Sequence, residues 1–344
     1  MHDIMKSFDA KKQTDLVILD FSKAFGTVPH KTLLHKLNNY GIDRKINKWI
    51  EKFLTQRQQR VIVEGESSSS CSVESGVPQG TVLGPLLFLY HINDLPLCVR
   101  SQVRLFADDC LLYRSVKTQQ DQQQLQTDLH SVERWATKWG MRFNVTKCYI
   151  MSIHRSRNPL TTHYILNNHI LEHVQENPYL GVIISENLKW STYINKICNK
   201  ANSTLGFIRR NLKHCNRKFK ETAYISLVRS LFDYSSTVWD AHLQKDIDRI
   251  ENVQRGAARF IYSDNKRTSS VTAMMNELVW KPLNERRKEQ RLFLLFKIVN
   301  DLVAIPAENN IEYNQRPSRT SNNKQTKVLS ATPEICKILS SQEL

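Results

Sequence analysis

No apolar run in this 344-residue chain approaches the ~18 residues needed to span a bilayer, so no membrane-crossing helix is expected. The first residues, MHDIMKSFDAKKQ, lack the apolar stretch of a secretory signal. No CxxC pair occurs among the seven cysteines (71, 98, 110, 148, 198, 215 and 336), and their number is odd. That argues against a zinc ribbon or a disulfide scaffold; the cysteines read as reduced, mostly packed thiols of an intracellular protein. Acid is the scarcer charge: 33 Asp plus Glu face 49 Lys plus Arg, for a net charge of +16. Such a surplus points to a polyanion partner, nucleic acid before membrane. No internal repeat is found.

What is present suits a soluble globular protein. Hydrophobic residues make up 40% and charged residues 24%, against wholesale disorder. The length suggests about two domains. DLVILD (15–20) is an apolar run ending in an acid and reads as a buried strand. Residues 30–40 and 43–56 read as helices, the second capped by Asp43. RVIVEG (60–65) reads as a strand and the serine run 67–70 as a hairpin turn or exposed loop. An apolar helix follows SGVPQG, with Gly84 and Pro85 near its start.

QVRLFADDCLLYR (102–114) reads as two strands around a tight Ala-Asp-Asp turn. Across 118–139, Leu125, Leu129, Val132, Ala136 and Trp139 mark one helical face, closed by Gly140. Residues 141–153 and 179–185 read as strands, and 163–174 as a hairpin through Asn167-Asn168. From 15 to 153 the order is that of a split β-α-β-β-α-β unit with an antiparallel core. Beyond about residue 190 the pattern is helical, with spans near 190–213, 217–239, 243–262 and 282–302. Leu243, Ile247, Ile250, Val253, Ala257 and Phe260 mark the core stripe of the third of these. Charge follows the same division, net +5 over residues 1–150 and +11 over the rest. RRNLKHCNRKFK (209–220) holds six basic residues and no acid.

Asp20 closes a buried strand, and Asp108 and Asp109 occupy a hairpin tip. Singly each reads as an ordinary turn or strand-end acid. An antiparallel split sheet can bring the three to one edge, where they raise each other's pKa unless a cation neutralises them. Magnesium, a hard ion that takes oxygen ligands, is the natural cation, and two such ions can clamp a phosphoryl displacement.

LDFSKAFGTVPH (19–30), SGVPQGTVLGPLLFLYHINDL (75–95), LFADDCLLY (105–113) and YLGVIIS (179–185) resemble, in that order, the reverse transcriptase domain of non-LTR (LINE-type) retrotransposons. The jockey-like branch is the nearest fit. Segment 186–302, with WSTYINKICNKANSTLGFIRRNL and DIDRIENVQRGAARFIY, resembles the thumb and post-thumb region. The resemblance implies an α+β fold: a right-hand polymerase palm, built on the split β-α-β ferredoxin-like sheet, followed by an all-α thumb and C-terminal extension. Palm, residual fingers and primer-grip hairpin would fill residues 1–185, and the helical thumb and post-thumb region 186–303. A polar, disordered tail would run over 304–344. Most of the fingers, and the endonuclease domain, would be missing.

The implied activity is RNA-directed DNA polymerisation: dNTPs are added to a DNA primer 3′-OH on an RNA template, with two Mg2+ ions or Mn2+ in their place. No membrane partner is implied, and the protein would work inside the cell, in nucleus and cytoplasm. Asp20 and Asp108 would ligate the metals, with Asp109 supporting them in the same set. Phe25 would screen the sugar against a ribose 2′-OH, the alternative being core packing. Gln79 and Gly80 would lie over the incoming nucleotide and template. Lys147 would stand near the leaving pyrophosphate, the alternative being a solvated edge charge. Tyr179, Leu180 and Gly181 would grip the primer end. Arg209, Arg210, Lys213, Arg217, Lys218 and Lys220 would face the template–primer duplex, the alternative being a solvated helix face. Trp190, Tyr193 and Phe207 are assigned to core packing rather than base stacking. Gly26 stands where the family usually has an acid, so a looser loop before Pro29 is expected. A non-catalytic nucleic-acid-binding remnant is the competing reading.

Overall fold

The structure, a computed structural model, describes residues 2–264, 266 and 268–305. They divide into two compact units, residues 2–180 and the residues from 181 onward. The expected tail lies almost wholly outside the described residues.

In the first unit α1 (His2–Asp9) leads into β1 (Gln13–Asp20). Then come α2 (His30–Asn39), α3 (Arg44–Leu54) and α4 (Leu83–Ile92). The hairpin β2 (Gln102–Phe106) and β3 (Asp109–Val116) follows, then α5 (Gln119–Trp139), β4 (Tyr149–Ile153) and the short β5 (Glu172–His173). The sheet order is β5–β4–β1–β3–β2, antiparallel except for the β5–β4 pair. Without β5 this is the order of the split β-α-β unit read from the sequence.

Side-chain alternation explains the layering. Val17 and Leu19 of β1 sit opposite Leu112 and Cys110 of β3. With Ile150 of β4 they form one core with Leu33, Leu37, Phe88, Leu129 and Val132 from the helices. The other face meets α1, where the Tyr113 hydroxyl donates to Asp3 at 2.8 Å. Local signals fix the helix ends. Asp43 accepts from the Lys45 amide at 2.8 Å, and Thr118 and Asp121 form a capping box. Gly140 closes α5 at φ 71°.

Four sequence expectations need correction. Only Tyr149–Ile153 of 141–153 is a strand, because Val145–Lys147 coils into a tight turn. The 179–185 run is bent: β6 (Glu176–Tyr179) ends at a turn with Leu180 at φ 48° and Gly181 at φ 79°, and β7 (Val182–Ser185) follows. RVIVEG contains its own hairpin turn at Glu64-Gly65, with strands of two residues each and all side chains exposed. The helix expected over 217–239 breaks. A helix covers only Arg217–Tyr224; after it, a π turn (Ile225–Arg229) and a short helical turn (Ser230–Asp233) follow. Trp239 then buries its ring and donates its indole N–H to the Tyr234 carbonyl at 2.9 Å.

The second unit is helical. α6 (Ser191–Asn211), α7 (Arg217–Tyr224), α8 (Gln244–Tyr262), α9 (Val271–Glu277) and α10 (Leu283–Val299) compose it. Ile250, Val253 and Ala257 of the expected stripe are buried in α8, with Asp246 and Ile261. Leu243 is the exposed residue before the helix instead. No described helix is long and apolar enough to cross a membrane. Among the described cysteines, Cys110, Cys148 and Cys198 are buried, Cys71 is exposed, and none is paired.

One buried acid holds the entry to the β2–β3 hairpin. Asp128 of α5 accepts from the amides of Arg100 (3.1 Å) and Ser101 (2.8 Å) and from Gln124 Nε2 (3.1 Å). An Asp128→Ala substitution strips both amides of their acceptor. It is expected to lower the unfolding free energy by about 2–4 kcal/mol in urea titration, with Asp128→Asn losing less.

Candidate active site

β1 runs antiparallel to β3 in a register that places Asp20 directly opposite Asp109. Asp109 is also paired with Phe106 across the β2–β3 hairpin, so the tight turn is Ala107-Asp108, with Ala107 at φ 50°. Asp20 and Asp109 therefore face each other at one end of the two central strands, with Asp108 in the adjoining turn. Directly opposed like charges destabilise a strand pair. Burial raises the Asp20 pKa above the ordinary aspartate value, Lys147 pulls it back, and Asp108 raises it further. The Asp109 pKa is raised by burial first, then by Asp108 and Asp20. Asp108 and Asp109 are both exposed at the tip, and Asp20 is half-buried.

Lys147 ends the tight turn before β4, exposed and close enough for its charge to act on Asp20. Tyr179, at the end of β6, joins the same cluster. Its hydroxyl is pushed up to about 12 by burial, then by Asp109 and Cys110. Of the residues expected at the site, Asp20, Asp108, Asp109, Lys147 and Tyr179 are thus brought together. Leu180 and Gly181 form the turn that follows.

The donors are hard carboxylate oxygens, held together against their own repulsion, and this chemistry fits magnesium. Among the described residues no group of three His, Cys, Asp or Glu side chains is gathered closely enough to hold a metal ion by itself. Magnesium does not need one: it commonly takes one or two carboxylates and fills its shell with phosphate oxygens and water.

Phe25, Gln79 and Gly80 belong to a second cluster. Phe25 stacks on Phe88 of α4, centroids 4.5 Å apart. Gln79 and Gly80 are exposed in the turn before α4, with Gly80 at φ 76°. Gly84, one turn further on, is obligatory, since a Cβ there would lie 2.0 Å from the Pro78 carbonyl oxygen. The loop around Gly26 is not loose. Its carbonyl accepts from Ser75 Oγ at 3.1 Å. The Val77 amide donates to Phe25 O and the Gly76 amide to Val28 O, both at 2.8 Å. His30 Nε2 donates to Gly76 O at 2.9 Å.

The basic run divides by geometry. Lys220 is corrected: it is only 4% exposed, donates to Ser263 Oγ at 2.9 Å and lies over the Phe260 ring, so it cannot reach a phosphate. Arg209 donates to the Gly256 carbonyl at 2.8 Å, and Arg217 pairs with Glu277 and covers Tyr262. Arg210, Lys213 and Lys218 are exposed. Trp190 and Tyr193 are core residues as expected, whereas Phe207 is 57% exposed. The residue the sequence did not single out is Cys148. It is buried behind Asp20, with its Sγ 3.4 Å from the Asp20 amide, and nothing in the sequence distinguishes it from a packed thiol.

The relatives include a probable RNA-directed DNA polymerase from transposon BS of Drosophila melanogaster, 25% identical over 281 residues, covering 75% of this chain and 30% of that protein. The RNA-directed DNA polymerase from mobile element jockey of the same organism is 28% identical over 202 residues, covering 56% of this chain and 22% of that protein. The chain thus spans less than a third of the length of these relatives. Among solved structures, apo telomerase from Candida tropicalis aligns at TM-score 0.45 and 10% identity, covering 80% of this chain and 45% of that one. A family model for reverse transcriptase (RNA-dependent DNA polymerase) matches residues 1–184. With more than half of its length so matched, and with mobile-element polymerases as relatives, the chain belongs to the reverse transcriptase family, in its LINE-type branch.

Proposed function

We propose that the sheet of the first unit is the palm of an RNA-directed DNA polymerase and the helical unit its thumb and post-thumb region. In this reading the chain adds deoxynucleotides to a DNA primer 3′-OH on an RNA template, in the nucleus and cytoplasm. The observation that carries it is the opposed pair Asp20 and Asp109, with Asp108 in the adjoining turn, within a chain of this family.

Asp20 and Asp108 would hold magnesium, with Asp109 beside them. When bound, the metal neutralises phosphate charge and makes the primer hydroxyl a better nucleophile. The chain's own part is positioning and charge. The β1–β3 pairing fixes the carboxylates before substrate arrives, which removes much of the entropic barrier. Lys147 supplies a cation on the same side, suited to stabilise or protonate a departing pyrophosphate. Phe25, braced by Phe88, would exclude a 2′-hydroxyl, and Gln79 and Gly80 would contact nucleotide and template. Tyr179, Leu180 and Gly181 would hold the primer end. Arg210, Lys213 and Lys218 would meet backbone phosphates, which need charge but no sequence.

The test is primer extension on poly(rA)–oligo(dT) with Mg2+ and dTTP. The parent is expected to extend, and Asp108→Ala to lose at least ~1,000-fold while still binding the duplex. Salt-dependent binding without extension by the parent would leave the non-catalytic remnant as the reading.

The raised Asp109 pKa has a defined sign. Native protein binds more protons than unfolded chain between the unfolded and folded pKa values, so stability falls as pH rises through that window. At pH 7 the penalty is fully present. Asp109→Asn is expected to melt higher than the parent at pH 7, and the gain to vanish below the ordinary aspartate range; a scanning calorimetry series over pH checks both.

Replacing Arg210, Lys213 and Lys218 by Gln is expected to weaken duplex binding and to flatten its log–log salt dependence by about one unit per lost phosphate contact. Lys220→Met is expected to leave that slope unchanged, because its ammonium faces Ser263 and not solvent. Fluorescence anisotropy across a salt series measures the difference.

A further inference from the structure

Behind Asp20 the backbone closes a ring of hydrogen bonds through one sulfur. The Asp20 amide donates to Cys148 Sγ at 3.4 Å. The Cys148 thiol donates to the Asn144 carbonyl at 3.2 Å, and the Asn144 amide returns to the Asp20 carbonyl at 2.8 Å. The Lys147 amide donates to the same Asn144 carbonyl at 2.9 Å. The next residues reinforce the seam: the Ser22 amide donates to Arg142 O at 2.8 Å, and Phe21 stacks on Phe143 with centroids 4.6 Å apart. Cys148 is buried, so no water can replace the thiol in this ring.

β1 ends at Asp20, and its last ladder partner on the β4 side is Ile18, opposite Tyr149. From there the regular β1–β4 ladder stops, and the ring takes its place. A thiol carries one weak donor and one weak acceptor, and both are used here. We infer that Cys148 is a positioning residue for Asp20: its sulfur ties the amide of the metal-facing acid to the turn that presents Lys147, fixing the two relative to each other. The inference rests on the polymerase reading for its consequence, and on the ring alone for its geometry.

The test uses the full chain with Cys148→Ser, Cys148→Val and Cys148→Ala. Serine keeps a donor and an acceptor at the same place; valine fills the space with neither; alanine removes both with the least steric demand. Mn2+ affinity is measured by isothermal titration calorimetry without substrate, kcat and KM for dTTP by primer extension, and folding by thermal melting. Valine and alanine are expected to weaken Mn2+ binding and lower kcat about tenfold or more, with KM for dTTP unchanged, since a small misplacement of a reacting group is enough. Serine is expected to retain both within about threefold. Packing alone predicts the reverse order, valine close to the parent and serine impaired, and that result overturns the inference.

Should valine fail to melt cooperatively, the alanine–serine contrast decides by the same criterion. Should the parent bind Mn2+ in an Asp20-dependent way but extend no primer, the polymerase reading fails while the Mn2+ affinities still decide for or against Cys148. Should the parent extend primer yet show no Mn2+ affinity without substrate, kcat decides for or against Cys148 by the same criterion; a parent that does neither overturns both.

Discussion

Two carboxylates face each other across the end of the central strand pair, and the register that puts them there is not free to change. Leu19 and Val17 are paired with Cys110 and Leu112 on the face that the helices cover. A slip of β1 by one residue would turn Val17 and Leu19 away from that core and drive Asp20 into it. Burying the apolar face therefore forces Asp20 opposite Asp109. Desolvation raises both pKa values, with Asp108 adding to each and Asp20 adding to that of Asp109. Core packing supplies the stability that this arrangement gives up, as expected where a functional site breaks a local rule.

The surroundings hold the strand ends rather than the acids themselves. Asp128 fixes the backbone just before β2, and the Cys148 ring fixes the last residue of β1. On the helical side, Lys36 is buried with its ammonium on Asp94 and over the Trp139 ring, while the Trp135 indole donates to the same Asp94 at 3.0 Å. Burial lowers the Lys36 pKa, and burial together with the nearby Lys36 charge brings His91 to about 4. His91 is thus neutral at physiological pH, and the Lys36 ammonium is the cation that meets Asp94. A buried pair of this kind binds α2 to the segment after α4 by geometry more than by net energy.

Much of the sheet and its acids was legible because the signals are local. DLVILD, the Ala-Asp-Asp turn, the Asp43 and Thr118 caps and Gly140 each settle their own element within a few residues. The misreadings lie where a turn or a long-range partner interrupts a run of favourable residues. YLGVIIS was read as one strand, yet Leu180-Gly181, both at positive φ, turn it. The 217–239 span has a helical pattern, yet it breaks before Trp239, whose buried indole takes the Tyr234 carbonyl. Lys220 looked like its basic neighbours in composition; only the packing of α7 directs it inward. Cys148 was illegible for the same reason, since its role depends on backbone atoms 128 positions away in sequence.

The glycine at position 26 shows how such long-range partners can offset a local loss. A side chain there would meet nothing within 4 Å, so the fold does not require glycine at this place. The flexibility it introduces is removed from outside. Gly76, at φ 89°, comes so close that a Cβ on it would lie 2.8 Å from the Gly26 carbonyl oxygen. That approach lets residues 75–77 lie along residues 25–30, through the Phe25–Val77 and Val28–Gly76 hydrogen bonds and the Pro29–Ser75 bridge. Phe25 and Gln79, some fifty residues apart in the chain, are consequently carried on one seam, with the Phe25 ring braced on Phe88. The residues proposed to judge the sugar and the nucleotide thus share a frame of their own, separate from the strand pair that holds Asp20 and Asp109.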